Sequence, residues 1–190
     1  MVTTKILQDS KSDIYLRQIT LSDCTNRYVE WLNDPDVNRY LETRWHEQNL
    51  STIKDFVRSQ LDNNHSYLFA IVKRDTDKHI GNIKIGPINP YHHHADISYF
   101  IGEKNFWGRG LATQSIQLVC KFGFEDLNLH RIEAGAYSSA IGSWKALERN
   151  GFKREAIFRR QVISDDKYID AYRYGVLGDE FKDWSESKIY

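Results

Sequence analysis

Apolar residues recur along this chain with two periods, and the switches between them predict a mixed order of elements. In Asp13–Thr20 (DIYLRQIT), Ile14, Leu16 and Gln18 alternate with Tyr15, Arg17 and Ile19, which predicts a first strand. Residues 21–34 (LSDCTNRYVEWLND) offer Ser22 or Asp23 as an N-cap and place Tyr28, Trp31 and Leu32 at helical spacing; the DPD of 34–36 stops that helix. A second helix is predicted in 49–64, capped at Asn49 or Ser51, with Ile53, Phe56, Val57 and Leu61 on one face and Asn63-Asn64 ending it. Tyr67–Lys73 and His79–Ile85 flank the turn RDTDK as a hairpin, and another strand starts near Ala95. Ile116, Leu118, Val119, Phe122 and Phe124 then mark a helix to about Asp126. HRIEAGAYS (130–138) reads as a strand, and AIGSWKALERNGF (140–152) as a helix stopped by Asn150-Gly151. KREAIFRRQVI, the turn SDDK and YIDAYRYGVL form a closing hairpin. Strand, two helices, three strands, helix, strand, helix and two strands make one mixed α/β layered protein.

Length adds that this is one domain over 1–190, with 1–12 and 180–190 expected to be flexible or peripheral. Its 26 basic and 26 acidic residues cancel, so no broad field draws it to nucleic acid or to an anionic membrane, and neither partner is expected. The first residues lack a signal-peptide core, and no run approaches the ~20 apolar residues of a membrane span. A cytoplasmic protein, monomer or homodimer, is expected. Cys24 and Cys120 stand far apart in apolar surroundings and read as buried, inert thiols.

One stretch changes the picture. In EKNFWGRGLATQSIQ (103–117), Gly108 and Gly110 stand where a strand hands over to a helix. A helix N-terminus leaves unpaired N–H groups and a partial positive charge, and glycine lets an anion approach them. Trp107 to Ala112 would then donate to a phosphate, with Arg109 adding charge; the alternative is a tight turn without a ligand. Neither the Gly-x-Gly-x-x-Gly spacing of dinucleotide folds nor a P-loop is present, because Thr113 holds the third position and no Gly-Lys-Ser/Thr follows.

ISYFIGEKNFWGRGLATQSIQLVC, LHRIEA and SWKALERNGF together resemble the acetyl-CoA-binding core of the GNAT N-acetyltransferases, and most of all their RimJ/RimL-like branch. The likeness is specific over 95–155. The branch's loop pattern, Gln/Arg-x-x-Gly-x-Gly/Ala, is matched from Asn105 to Gly110 except at its first position. The resemblance implies a mostly antiparallel twisted sheet with a splayed parallel pair and helices on both faces. It implies acetyl-CoA as cofactor, held by Tyr99, Phe100 and Ile101 on the strand, by Asn105, Trp107, Gly108, Arg109, Gly110, Leu111, Ala112 and Thr113, and by Ser138 and Trp144. A backbone N–H near Phe100 or Ile101 would face the thioester carbonyl, where a donor is worth ~3 kcal/mol.

Within that resemblance Ser143 is the candidate acid for the departing thiolate. Two positions depart from the family's pattern: Leu147 stands where many members carry a tyrosine, and Ala140 where an asparagine is expected. Asp96 and His94 are candidates for taking the amine's proton. Trp31, Tyr40, Glu42, Arg44, His92 and Asp170 are candidates for the acceptor site. Three adjacent histidines, 92–94, do not converge on one ion from a strand, so no metal is expected. No nucleophile elbow is present and both cysteines read as buried, so the amine attacks the thioester directly. The acceptor is expected to be a nucleotide-linked amino sugar or other small amine, or a protein N-terminal amine. The alternative is a non-catalytic acyl-CoA-binding sensor or interaction module, favoured by the departures at 140 and 147.

Overall fold

The alternating stretches become the strands of one sheet, and the 3.6-period stretches cover both of its faces. The computed structural model describes residues 5–181. In chain order the elements are β1 (Ile6–Gln8), β2 (Ile14–Gln18), α1 (Asn26–Asn33), α2 (Pro35–Asn38), α3 (Leu50–Leu61), β3 (Tyr67–Lys73), β4 (Lys78–Asn89), β5 (His94–Ile101), α4 (Leu111–Lys121), β6 (Arg131–Tyr137), α5 (Ile141–Arg149), β7 (Lys153–Ser164) and β8 (Lys167–Leu177). The strands form an eight-stranded sheet in the order β1-β2-β3-β4-β5-β6-β8-β7. Every pair is antiparallel except β5 with β6. This is the expected fold class. No helix of the described residues is long and apolar enough to cross a membrane.

Strand side chains alternate between faces, and the two faces carry different helices. Ile14, Leu16, Phe69, Ile71, Ile83 and Ile85 are buried beneath Leu111, Ile116 and Val119 of α4 and Ala146 and Leu147 of α5. Leu68, next to Phe69, joins the other cluster with Tyr28, Trp31 and Leu32 of α1 and Ile53 and Val57 of α3. Each fully buried aliphatic side chain contributes about 1.5–3 kcal/mol.

Several boundaries differ from the sequence reading. Residues 6–8, expected to be flexible or peripheral, form a regular edge strand on β2, while 1–4 and 182–190, under the same expectation, lie outside the described residues. Asp23 does not cap the first helix: its carboxylate takes a two-bond fork from Arg17 at 2.7 and 2.6 Å and the Thr20 N–H at 2.8 Å, closing a one-turn 3-10 segment, and α1 begins at Asn26. Phe56 and Leu61, assigned to the buried face of α3, are exposed, because α3 rests on β3 along the narrower stripe of Ile53 and Val57. After α4 the chain winds through a π-turn, Phe122–Asp126.

Pairing stops early in the middle of the sheet. β5 stays on β4 as far as Ile101 opposite Gly81, and β6 stays on β8 as far as Tyr137 opposite Ala171. Between β5 and β6 the ladder covers only His94–Asp96 against Arg131–Glu133. Beyond it the two strands diverge, leaving a gap in the middle of the sheet.

The end of β5 is tied to α1 by Glu103. Its carboxylate accepts from Arg27, from Trp31 Nε1 at 3.0 Å and from Lys78 Nζ at 2.9 Å. Burial alone pushes this carboxyl up, but the three donors outweigh it and hold it down to about 2. A carboxyl lowered by folding stabilises the fold above its unfolded value of ~4.3 and loses that contribution as pH falls toward its folded value. Glu103→Gln is therefore expected to lower unfolding stability by about 2 kcal/mol at neutral pH. Urea titrations of both proteins should show the difference shrink between pH ~4 and pH ~2.

Candidate functional site

Gly108 and Gly110 lie at φ 73° and 76°, in the left-handed region, and Gly110 is the residue before α4. A Cβ built at either meets nothing within 4 Å. Packing does not demand these glycines; backbone angle does, and their missing side chains leave open space above the loop. Gln114 is the first α4 residue whose N–H finds an intrahelical carbonyl, Gly110 O at 3.1 Å. The amides of Leu111, Ala112 and Thr113 precede it, without an acceptor inside the helix. Gly108, Gly110 and these three residues line one cleft of about 1110 Å³, together with Trp107. Lys145 and Arg149 of α5 line it too, two cations absent from the sequence candidates. Open amides, a helix N-terminus and two cations fit a diphosphate. Two of the expected loop contacts lie elsewhere. Arg109 stacks on Phe106, 5.4 Å from the ring centre, and Asn105 lines a shallow neighbouring hollow with Arg27 and Glu103.

The cleft continues into the gap between β5 and β6. Gly102 N–H donates to Ile80 O at 2.8 Å. Alternation along an antiparallel ladder then turns the backbone groups of Tyr99 and Ile101 away from β4 and toward the gap. The Ile101 carbonyl accepts from Trp107 Nε1 at 2.7 Å, which agrees. By the same alternation Phe100's backbone turns to Asn82 on β4, so of the two amides expected at the thioester, Ile101's is the one on the gap side. Acetyl-CoA would lie with its diphosphate on the loop amides and its thioester between these edges, where it supplies an acetyl group activated by sulfur. Donors already fixed at such an edge stabilise the oxygen that gains charge.

Ser143 lies in the first turn of α5 and lines the cleft. Its hydroxyl is 3.0 Å from the hydroxyl of Tyr99, which reaches across from β5. Burial, set against its bond to Ser143, pushes the Tyr99 phenol above the ordinary tyrosine value. Ser138 and Trp144 do not line the cleft; Trp144 Nε1 donates to Ser138 O at 3.1 Å and fixes how α5 starts.

Toward the other face of the sheet the cleft is walled by Tyr40, Glu42, Tyr137, Phe158, Gln161, Tyr172 and Arg173. Glu42 accepts the Tyr137 hydroxyl at 2.6 Å and Trp45 Nε1 at 3.1 Å. Burial and the bond to Glu42 raise the Tyr137 phenol. Arg44 is not part of the lining; it donates to Tyr137 at 3.0 Å and to Ile163 O at 2.8 Å, and Tyr40 donates to Ser139 O at 3.1 Å. Segment 39–45 is thus strapped to the end of β6 and to β7.

The remaining sequence candidates are not brought to this cleft. Trp31 is buried in the α1 cluster, its indole filling the space that Gly102 leaves by having no Cβ. Asp96 pairs with Arg173 at 2.7 Å, within the stretch where β5 and β6 still pair. His94 lies beside Glu133 at 3.9 Å and stacks with His92. Asp170 accepts the Arg160 N–H at 2.9 Å inside the β7–β8 hairpin. Among the described residues no group of His, Cys, Asp and Glu gathers as a metal site.

The family model of the acetyltransferase (GNAT) domain matches residues 13–153. The uncharacterized N-acetyltransferase p20 of Bacillus licheniformis is 29% identical over 169 residues, 87% of this chain and 93% of that protein. The uncharacterized N-acetyltransferase YoaA of Bacillus subtilis (strain 168) is 30% identical over 167 residues, 86% of this chain and 93% of its own. Among solved structures, spermidine N-acetyltransferase from Vibrio cholerae in complex with CoA and spermine superposes with a TM-score of 0.79. It is 20% identical and covers 90% of this chain and 98% of that one, a likeness of fold. On these grounds the chain belongs to the GNAT family of acetyltransferases and is an acetyl-CoA-dependent N-acetyltransferase.

Proposed function

We propose that the acceptor is a small primary amine, that it enters between Tyr40–Glu42 and Tyr137–Phe158, and that it attacks the thioester directly. The observation that carries this reading is Glu42. It is a carboxylate in the cleft wall, held by Tyr137 and Trp45. A carboxylate there attracts an ammonium group and takes up the proton that the amine must lose before attack. Tyr40, Phe158 and Tyr172 add rings and Gln161 an amide, a lining that suits an amino sugar. The strap from Arg44 to Ile163 supports a compact acceptor over an extended peptide. Polyamines are a second reading, favoured by Glu42 and by the likeness to a spermidine N-acetyltransferase. The pattern at 105–110 supports placing the chain in the RimJ/RimL-like branch.

The test is thiol release from acetyl-CoA with nucleotide-linked amino sugars, polyamines and N-terminal peptides as acceptors. Turnover is expected with a small amine, and Glu42→Gln is expected to lower kcat/KM about tenfold or more, ~1.4 kcal/mol of transition-state stabilisation. Affinity for CoA should not change. Turnover confined to peptides, or an unaffected Glu42→Gln enzyme, would overturn the reading.

A further inference from the structure

Tyr99 places a second hydroxyl beside the one expected to meet the departing sulfur. Its oxygen lies 3.0 Å from Ser143 Oγ and 3.0 Å from the Ser143 carbonyl oxygen. A phenol has one hydrogen to give, and so has a serine. Two arrangements satisfy this pair. In one, the phenol donates to the carbonyl and accepts the serine hydrogen, so nothing is presented to the cleft. In the other, the phenol donates to Ser143 Oγ and the serine hydrogen is left to point into the cleft. Rotation of two O–H bonds converts one into the other.

The surroundings favour a role for this pair. Tyr99 and Ser143 both line the cleft, next to Gly142, which has no side chain to block access. Ser143 stands in the first turn of α5, where the helix end favours negative charge. Burial keeps the Tyr99 phenol protonated at working pH, so it remains a donor.

We propose that Tyr99 and Ser143 form a two-hydroxyl relay that protonates the departing thiolate, with Tyr99 as a positioning residue acting through Ser143; this rests on the acetyl-CoA reading of the cleft. As the amine nitrogen bonds to the acetyl carbon, the carbon–sulfur bond breaks and its electron pair leaves on sulfur. The Ser143 proton moves to sulfur, the Tyr99 proton moves to Ser143 Oγ, and the phenol regains a proton from cleft water. The proton surrendered by the amine leaves by the acceptor side, so none is gained or lost overall.

An acceptor-independent experiment tests this. The thiol of bound CoA is titrated by its ultraviolet thiolate absorbance, with the desulfo-CoA complex as blank. A hydrogen bond to the thiolate lowers the thiol pKa. Tyr99→Phe keeps the ring and leaves Ser143 its own hydrogen without the phenol's donation, and is expected to raise that pKa by about half a unit, roughly a threefold change in acidity. Ser143→Ala, a change at a half-buried helix position that leaves the Tyr99 ring and its packing in place, should raise it by about one unit, a tenfold change. The double variant should match Ser143→Ala alone. An unchanged thiol pKa in Tyr99→Phe or in Ser143→Ala, or a double variant shifted by the sum of both, overturns the relay. Absence of CoA binding by the wild-type protein would instead strike the acetyl-CoA reading, and the relay would fall with it.

Discussion

Gly81→Ala should destabilise the chain by about 3 kcal/mol or more, which for a protein of this size lowers Tm by roughly 6–12 °C. A Cβ at Gly81 would stand 2.2 Å from the Phe100 carbonyl oxygen and 2.9 Å from Ile101 Cα. Both are backbone atoms, so no side-chain rotation relieves the overlap. The strain is relieved by moving β5 away from β4, and on its other side β5 borders the gap. CoA affinity should therefore fall in the same variant. Calorimetric unfolding and CoA titration check both parts; an unchanged Tm would mean that β4 and β5 can separate at this point without cost.

That dependence on a strand pair shows what the sequence could and could not disclose. The turn into α4 was legible because two glycines spaced around one residue stand just ahead of a 3.6-period run. The gap was not legible from periodicity. Ile97, Tyr99 and Ile101 alternate with Ser98 and Phe100 whether or not a neighbouring strand is paired to them. Only the register, ending at Asp96 opposite Glu133, shows where the ladder opens. The same holds for the wall proposed to meet the acceptor. Tyr137, Phe158 and Arg173 lie on three strands, and the order β6-β8-β7 brings them together. No spacing in the chain announces that.

Asp96 and Trp31 depart from the sequence reading for physical reasons of the same kind. Alternation puts Asp96 on the face shared with Ser98 and Phe100, but Arg173, distant in sequence, claims its carboxylate. Aromatic and polar density around Trp31 resembles a binding loop, yet the indole is needed to fill the space beside Gly102. Glu42 stands out in the sequence by its surroundings. Its partner Tyr137 does not, because a tyrosine at the end of a buried strand reads as core until a cleft is known to open beside it.

Replacing Gly108 and Gly110 together by alanine should separate folding from cofactor binding. With nothing within 4 Å of either Cβ, the folded protein meets only the backbone penalty of alanine at positive φ, roughly 1 kcal/mol per position. The new methyl groups would instead occupy the open space through which a diphosphate approaches the amides of residues 108–113. CoA affinity is expected to fall about a hundredfold, ~2.7 kcal/mol, while Tm drops by roughly 4–8 °C. Pantetheine, which has the thiol arm but no diphosphate, provides the control: its weak binding in the gap should be the same in both proteins. Equal losses for CoA and pantetheine would mean that the loop shapes the gap and does not grip phosphate. An unchanged CoA affinity would move the diphosphate elsewhere, to Lys145 and Arg149 alone.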